Sequence, residues 1–148
     1  SRLCEALITQ ARDAGKMVLV DPPRGADFKR FKSATVITPN RQETSLAVGF
    51  EIDSIEDASR AADILADELE LDAVVVTLDR QGAFLWTREF AQHIPTVAKS
   101  VYDVTGAGDM VLAMLAAALA SGAPYETAVE LSNIAGGIEV GKFGCVTV

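Results

Sequence analysis

Short runs of branched apolar residues alternate with helix-period segments along this chain, and that alternation limits the folds open to it. Residues 73–77, Ala-Val-Val-Val-Thr, place three valines in a row. So short and so branched a run reads as a strand buried on both faces. Just before it, residues 54–69 put Ile55, Ala58, Ala62, Leu65 and Leu69 on one helical face. Ser54 followed by Asp57 gives that helix a capping-box-like start. Residues 17–20 end at Asp21-Pro22-Pro23, and residues 34–38 are stopped by Pro39. Both read as further buried strands.

Helices are expected at residues 3–14, where Leu3, Leu7, Ile8 and Ala11 share a face and Gly15 closes the end. Another is expected at 40–48 with Asn40 near its N-cap. Residues 27–31 suggest a helical turn. Residues 83–86 and 90–94 suggest a hairpin across Thr87-Arg88-Glu89. Two more helices are expected at 107–120 and 125–140, separated by Ser121-Gly122-Ala123-Pro124. Helices alternating with buried strands imply an α/β layered fold around a mostly parallel sheet. With no repeat, low-complexity run or linker in view, residues 1–148 are expected to form one domain without an internal boundary.

Charge narrows the partners. The 13 basic and 21 acidic residues give a net charge of −8, which argues against a nucleic-acid partner. A nucleotide stays open, because backbone amides bind phosphate without net positive charge. Cys4 and Cys145 are the two cysteines, and their separation fits neither a metal site nor a disulfide framework. The longest apolar run, residues 110–120, is too short to span a bilayer, and no leader pattern follows Ser1. A cytoplasmic protein with reduced thiols and no membrane partner is the expectation.

Ligands of open α/β sheets sit beyond the carboxyl ends of the strands. The polar residues there are Asp21, Asn40, Glu43, Thr77, Arg80 and Asp109. The segment Gly106-Ala107-Gly108-Asp109 opens a helix. Its glycines allow close backbone approach, and the helix start leaves amides unpaired. Such a site holds an oxyanion or phosphate. Asp109 is placed where its carboxylate could take a proton from a hydroxyl beside that anion. A plain turn with a carboxylate favoured by the helix dipole explains the same four residues. Bland readings stand beside the others too. Asn40 suits a helix cap, Glu43 a first-turn carboxylate, Asp21 a turn with Pro22, and Arg80 a solvated charge. Asn133 suits a satisfied polar group on a packed helix, and His93 suggests no role.

Two competing motifs fail. A dinucleotide fingerprint starting at Gly106 lacks its third glycine, which Val111 replaces. Residues 136–142 have P-loop glycine and lysine spacing, yet Phe143 stands where Ser or Thr would bind Mg2+, and the segment ends a helix.

Asp103-Val104-Thr105-Gly106-Ala107-Gly108-Asp109 closely resembles the C-terminal signature of the ribokinase-like (PfkB) carbohydrate kinases. Val18-Leu19-Val20-Asp21-Pro22, Thr38-Pro39-Asn40-Arg41-Gln42-Glu43, residues 77–82 and Val140-Gly141-Lys142-Phe143-Gly144 match family motifs in the same order. Within the family the chain looks most like the kinase domain of the bifunctional ADP-heptose synthases. Asp27-Phe28-Lys29-Arg30-Phe31, Pro95-Thr96 and Val101-Tyr102 carry that finer likeness.

The resemblance implies ATP-dependent phosphoryl transfer to a sugar or sugar-phosphate hydroxyl. The sharpest form is transfer to the anomeric hydroxyl of heptose 7-phosphate, toward ADP-heptose and lipopolysaccharide. Another sugar substrate is the alternative, as is a nucleotide-binding fragment without catalysis. Asp109 would be the base, with the amides of Gly106, Ala107 and Gly108 as the anion hole. Asn40 and Glu43 would organise Mg2+, and Thr77, Arg80 and Gly82 would lie along ATP. Asn133 would border the adenine with Val140, Lys142 and Gly144. Asp103 would help hold a monovalent cation. Pro23 departs from the Lys usual in the heptose subgroup, with Arg24 as its substitute. Since the family fold takes roughly twice this length, the chain matches its C-terminal, nucleotide-binding half. A complementary N-terminal half, or self-association as a homo-oligomer, is therefore expected.

Overall fold

A computed structural model describes residues 2–96 and 107–140. These fall into two compact units. The first comprises the described residues of Ser1–Thr77 with Phe84–Gln92. The second comprises those of Leu78–Ala83 and His93–Val148.

In the first unit, α1 (Arg2–Asp13) leads to β1 (Leu19–Val20), then a 3-10 turn at Phe28–Phe31 and β2 (Val36–Ile37). Helices α2 (Arg41–Val48) and α3 (Ile55–Leu69) precede β3 (Ala73–Thr77). The strands β4 (Ala83–Thr87) and β5 (Ala91–Ile94) form the hairpin, whose far ends at Ala83 and His93–Ile94 belong to the second unit. The five strands lie in the order β1-β2-β3-β4-β5. Strands β1 to β3 are parallel, with Leu19 opposite Val36 and Ile37 opposite Val74. The hairpin makes the sheet mixed.

Strand β3 is buried along Ala73–Val76, as a continuous apolar run should be. Helix α3 covers the sheet with Ala58, Ala61, Ala62, Leu65 and Leu69, all buried. Each fully buried leucine there contributes about 1.5–3 kcal/mol. Ser54 caps α3 by accepting the Asp57 amide at 3.1 Å, while Asp57 accepts the Ser54 amide at 3.0 Å. Helix α1 departs from expectation. Leu3 and Leu7 are 68% and 57% exposed. The helix turns Cys4, Ile8 and Ala11 inward instead, a set with the same helical spacing.

In the second unit, α4 (Ala107–Ala120) and α5 (Tyr125–Val140) pack as a helical hairpin. Gly122 turns the corner at φ 88, its amide bonded to Leu119 O at 3.0 Å and that of Ala123 to Ala118 O at 3.1 Å. Although α4 is apolar all round, only Val111, Leu115, Ala118 and Leu119 are buried. Ala113 and Ala117 face outward, where a methyl group costs little. Among the described residues no helix is long and apolar enough to cross a membrane.

Candidate active site

The carboxyl ends of the parallel strands carry the first group of polar residues. Strand β2 runs through Thr38 and Pro39 into Asn40, which lies opposite Thr77 at the end of β3 in an isolated parallel bridge. The Thr77 amide donates to Pro39 O at 3.0 Å. Asn40 has extended backbone and caps α2. Its Oδ1 accepts the Glu43 amide at 2.9 Å, and Glu43 Oε2 accepts the Asn40 amide at 2.8 Å. Thr44 Oγ1 adds a bond to Asn40 O at 2.8 Å. The Glu43 side chain is therefore held rigidly although the residue is only 8% exposed. A carboxylate so far from water needs such donors, and the positive end of α2 helps it.

Both helix-cap readings are thus realised. They do not use up the site, because the second Glu43 oxygen and the Asn40 carboxamide nitrogen stay outside the capping box. Beside them, Thr38 Oγ1 reaches Asp21 Oδ1 at 3.4 Å and Val20 O at 3.5 Å. These are long, weak bonds, and they place Asp21 near the end of β2. Among the described residues no group of three or more His, Cys, Asp or Glu could hold a metal ion. One fixed carboxylate suits a hard cation that keeps waters and shares ligand phosphates, which is how Mg2+ is usually bound.

The second unit holds the remaining candidates. Ala107, Gly108 and Asp109 form the first turn of α4, and Asp109 is exposed. The amides of such a turn have no intrahelical partner, so an anion can bind beside the Asp109 carboxylate. Gly82 and Asn133 meet at one strand end. Asn133 Nδ2 donates to Ile94 O at 3.0 Å, tying α5 to β5. Gly82 packs so tightly against the same backbone that a Cβ would lie 2.6 Å from Thr96 N and 2.7 Å from Pro95 C, and closer still to Ile94 O. Glycine is required here by both space and a φ of 92. Arg80 is exposed in the 3-10 turn Asp79–Gln81. Val140 ends α5. Gly106, Asp103, Lys142 and Gly144 lie outside the described residues, as do Val101, Tyr102 and Cys145.

Sequence reasoning missed the role of Ile94, whose carbonyl accepts from Asn133 and closes the space beside Gly82. A main-chain acceptor leaves no mark in a sequence. Only the glycine at 82 hinted at close approach.

The pfkB family carbohydrate kinase model matches residues 1–148. The chain belongs to this family. Among curated relatives, bifunctional protein HldE of Geotalea uraniireducens is 44% identical over 148 residues, covering 99% of this chain and 30% of the relative. Bifunctional protein HldE of Halorhodospira halophila is 50% identical over 143 residues, covering 96% and 30%. The chain thus spans less than a third of the length of the curated relatives it matches. The fold is ribokinase-like. Arabidopsis thaliana ribokinase, solved with ribose and ATP, superposes with a TM-score of 0.85 at 24% identity, covering 96% of this chain and 47% of the ribokinase.

Proposed function

We propose that the full-length protein transfers the γ-phosphoryl group of ATP to a sugar or sugar-phosphate hydroxyl. The observation that carries this reading is the family match over the whole chain with Gly108 and Asp109 in the first turn of α4. The favoured substrate is heptose 7-phosphate at its anomeric hydroxyl, on the way to ADP-heptose and lipopolysaccharide. Supporting it, the curated relatives are bifunctional, as the ADP-heptose synthases are.

Asp109 accepts the proton of the attacking hydroxyl, and the amides of Gly106, Ala107 and Gly108 face the charge on the transferring group. Glu43, steadied by Asn40, holds Mg2+ together with waters and ligand phosphates. Bound there, the cation would neutralise phosphate charge. Thr77, Arg80 and Gly82 line the phosphates and ribose. Asn133, Val140, Lys142 and Gly144 border the adenine, and Asp103 helps hold a monovalent cation. The reaction is placed in the cytoplasm. The exposed Leu3, Leu7 and Met17 support docking of an N-terminal half or a second copy.

The test is Asp109→Asn in the full-length protein. Turnover with ATP should fall by a factor of about 10^2 to 10^4, with ATP affinity nearly unchanged. Near-normal turnover sinks the assignment of the base. A panel of heptose 7-phosphate, fructose 6-phosphate and ribose separates the heptose reading from another sugar. The short share of the relatives favours a second reading for the 148 residues alone, namely nucleotide binding without transfer. Calorimetry with ATP·Mg2+ beside a phosphotransfer assay on those residues decides it.

A further inference from the structure

His93 is the single histidine of the chain and lies in β5. Its Nε2 sits 2.5 Å from the carbonyl oxygen of Gln81. A carbonyl only accepts, so Nε2 carries a proton and donates it. Gln81 belongs to the turn at residues 78–82, and that turn has an unusual backbone. Asp79 is left-handed at φ 54, and Gly82 lies at φ 92, ψ −128. Aspartate enters the left-handed region more readily than most side chains and glycine does so freely, so the two residues suit a tight turn that its neighbours then fix.

Three of the restraints are internal to the turn. The Leu78 amide donates to Gly82 O at 2.7 Å, that of Gln81 to Leu78 O at 3.0 Å, and that of Gly82 to Asp79 O at 3.3 Å. Restraint also comes from β5. The backbone of residues 94–96 forms a wall against Gly82, and His93 pins Gln81 from the neighbouring position. Asn133 in turn ties Ile94 to α5. A turn fixed in this way aims the one long cation it carries, the exposed Arg80. A fixed backbone reduces the ordering that an arginine must undergo when it binds phosphate.

We propose that His93 is a positioning residue for the nucleotide: its Nε2–H holds the Gln81 carbonyl and so fixes the turn that presents Arg80 to the phosphates. This rests on the nucleotide-binding reading above. The histidine itself touches neither ATP nor sugar.

The experiment is calorimetric titration of the full-length protein with AMP-PNP and Mg2+. Wild type, Arg80→Ala, His93→Ala and the double variant are compared. His93→Ala should weaken binding about fivefold, the loss of one hydrogen bond's net contribution. In the Arg80→Ala background the same change should add nothing. His93→Gln, whose amide can donate to the same carbonyl, should recover most of the loss. An equal effect of His93→Ala in both backgrounds, or none in either, overturns the proposal and leaves the nucleotide reading standing. Unchanged binding by Arg80→Ala removes Arg80 from the site and the proposal with it. No binding by wild type defeats the nucleotide reading itself. Imidazole 15N shifts of the wild type give a check that no variant's folding can obscure. They should show a proton on Nε2, and a neutral Nδ1–H tautomer overturns the proposal.

Discussion

Asn40 and Glu43 hold each other in place, the carboxamide oxygen of one on the amide of the other at 2.9 Å and the carboxylate returning the bond at 2.8 Å. The pair joins stability to chemistry, since the same two side chains that start α2 are those proposed to organise Mg2+.

Removing the cap and removing the charge should therefore have separable effects. Asn40→Ala is expected to cost about 1 kcal/mol of folding stability, and Asn40→Asp only a few tenths. Glu43→Gln keeps an oxygen for the Asn40 amide, so stability should stay within about 1 kcal/mol of wild type. Its nucleotide binding should lose the dependence on Mg2+. Urea unfolding and calorimetry at several Mg2+ concentrations read the two effects.

Among the positive-φ glycines of the described residues, Gly82 should be the least replaceable. Gly82→Ala meets the backbone of residues 94–96 and a left-handed φ together, for a cost of at least about 2 kcal/mol. Gly122→Ala shares the left-handed φ, but nothing lies within 4 Å of its added Cβ. Only the conformational penalty of about 1–2 kcal/mol remains. Denaturation midpoints that reverse this order would contradict the close approach at Gly82.

Leu65 and Leu46 make a paired test of the core. Leu65 is buried on the inner face of α3, whereas Leu46 is 66% exposed on α2. Leu65→Ala should destabilise by about 2–5 kcal/mol, and Leu46→Ala by less than about 0.5 kcal/mol. Equal losses in urea titrations would mean that α3 does not carry the core of the first unit.

The Asp57 carboxyl is held below the usual carboxylate range. The side-chain bond from Ser54 is the largest cause, burial opposes it, and the backbone amides of Ser54 and Asp53 and the charge of Arg60 assist. A depressed folded-state value means that the contribution to stability is present above the ordinary range and is lost as pH falls through the lowered value. Ser54→Ala removes the largest cause. As pH falls below the ordinary aspartate value of about 4, the variant should therefore lose stability less steeply than wild type. Glu70 has the same sign, lowered by the hydrogen bond and the charge of Lys32. That pair is exposed, so added salt should weaken it. Carboxyl NMR titrations and urea midpoints across the acid range check both statements.

Much of this architecture was legible in the chain, for physical reasons that differ by element. Helices α4 and α5 and strand β3 have the expected ends, because a proline-glycine break and a branched run act locally. The caps at Asn40 and Ser54 were legible for the same reason, since their partners lie three residues away. Strands β1 and β2 are shorter than their apolar runs suggest. There, Thr35 uses its hydroxyl to accept the Val18 amide at 2.8 Å, and the amides of Thr35 and Val36 both donate to Val18 O, so the regular ladder starts late. Strand β5 begins at Ala91 instead of Phe90, because Thr87 and Phe90 close the hairpin turn on each other. In the candidate site, residue types pointed to Asn40, Glu43 and Asp109. The contact of Asn133 with Ile94, 39 residues away, and the grip of His93 on Gln81 depend on main-chain oxygens brought close only by folding.

The strands lie side by side in the order in which they occur along the chain. A ribosome delivering this segment would release each strand beside an edge already in place, with no later strand needed to wedge between two earlier ones. The sheet can grow like a page filled line by line, keeping loop closures short. During synthesis, the only open edge on the growing side is the one awaiting the next strand, which limits the time that unpaired backbone is available to other chains.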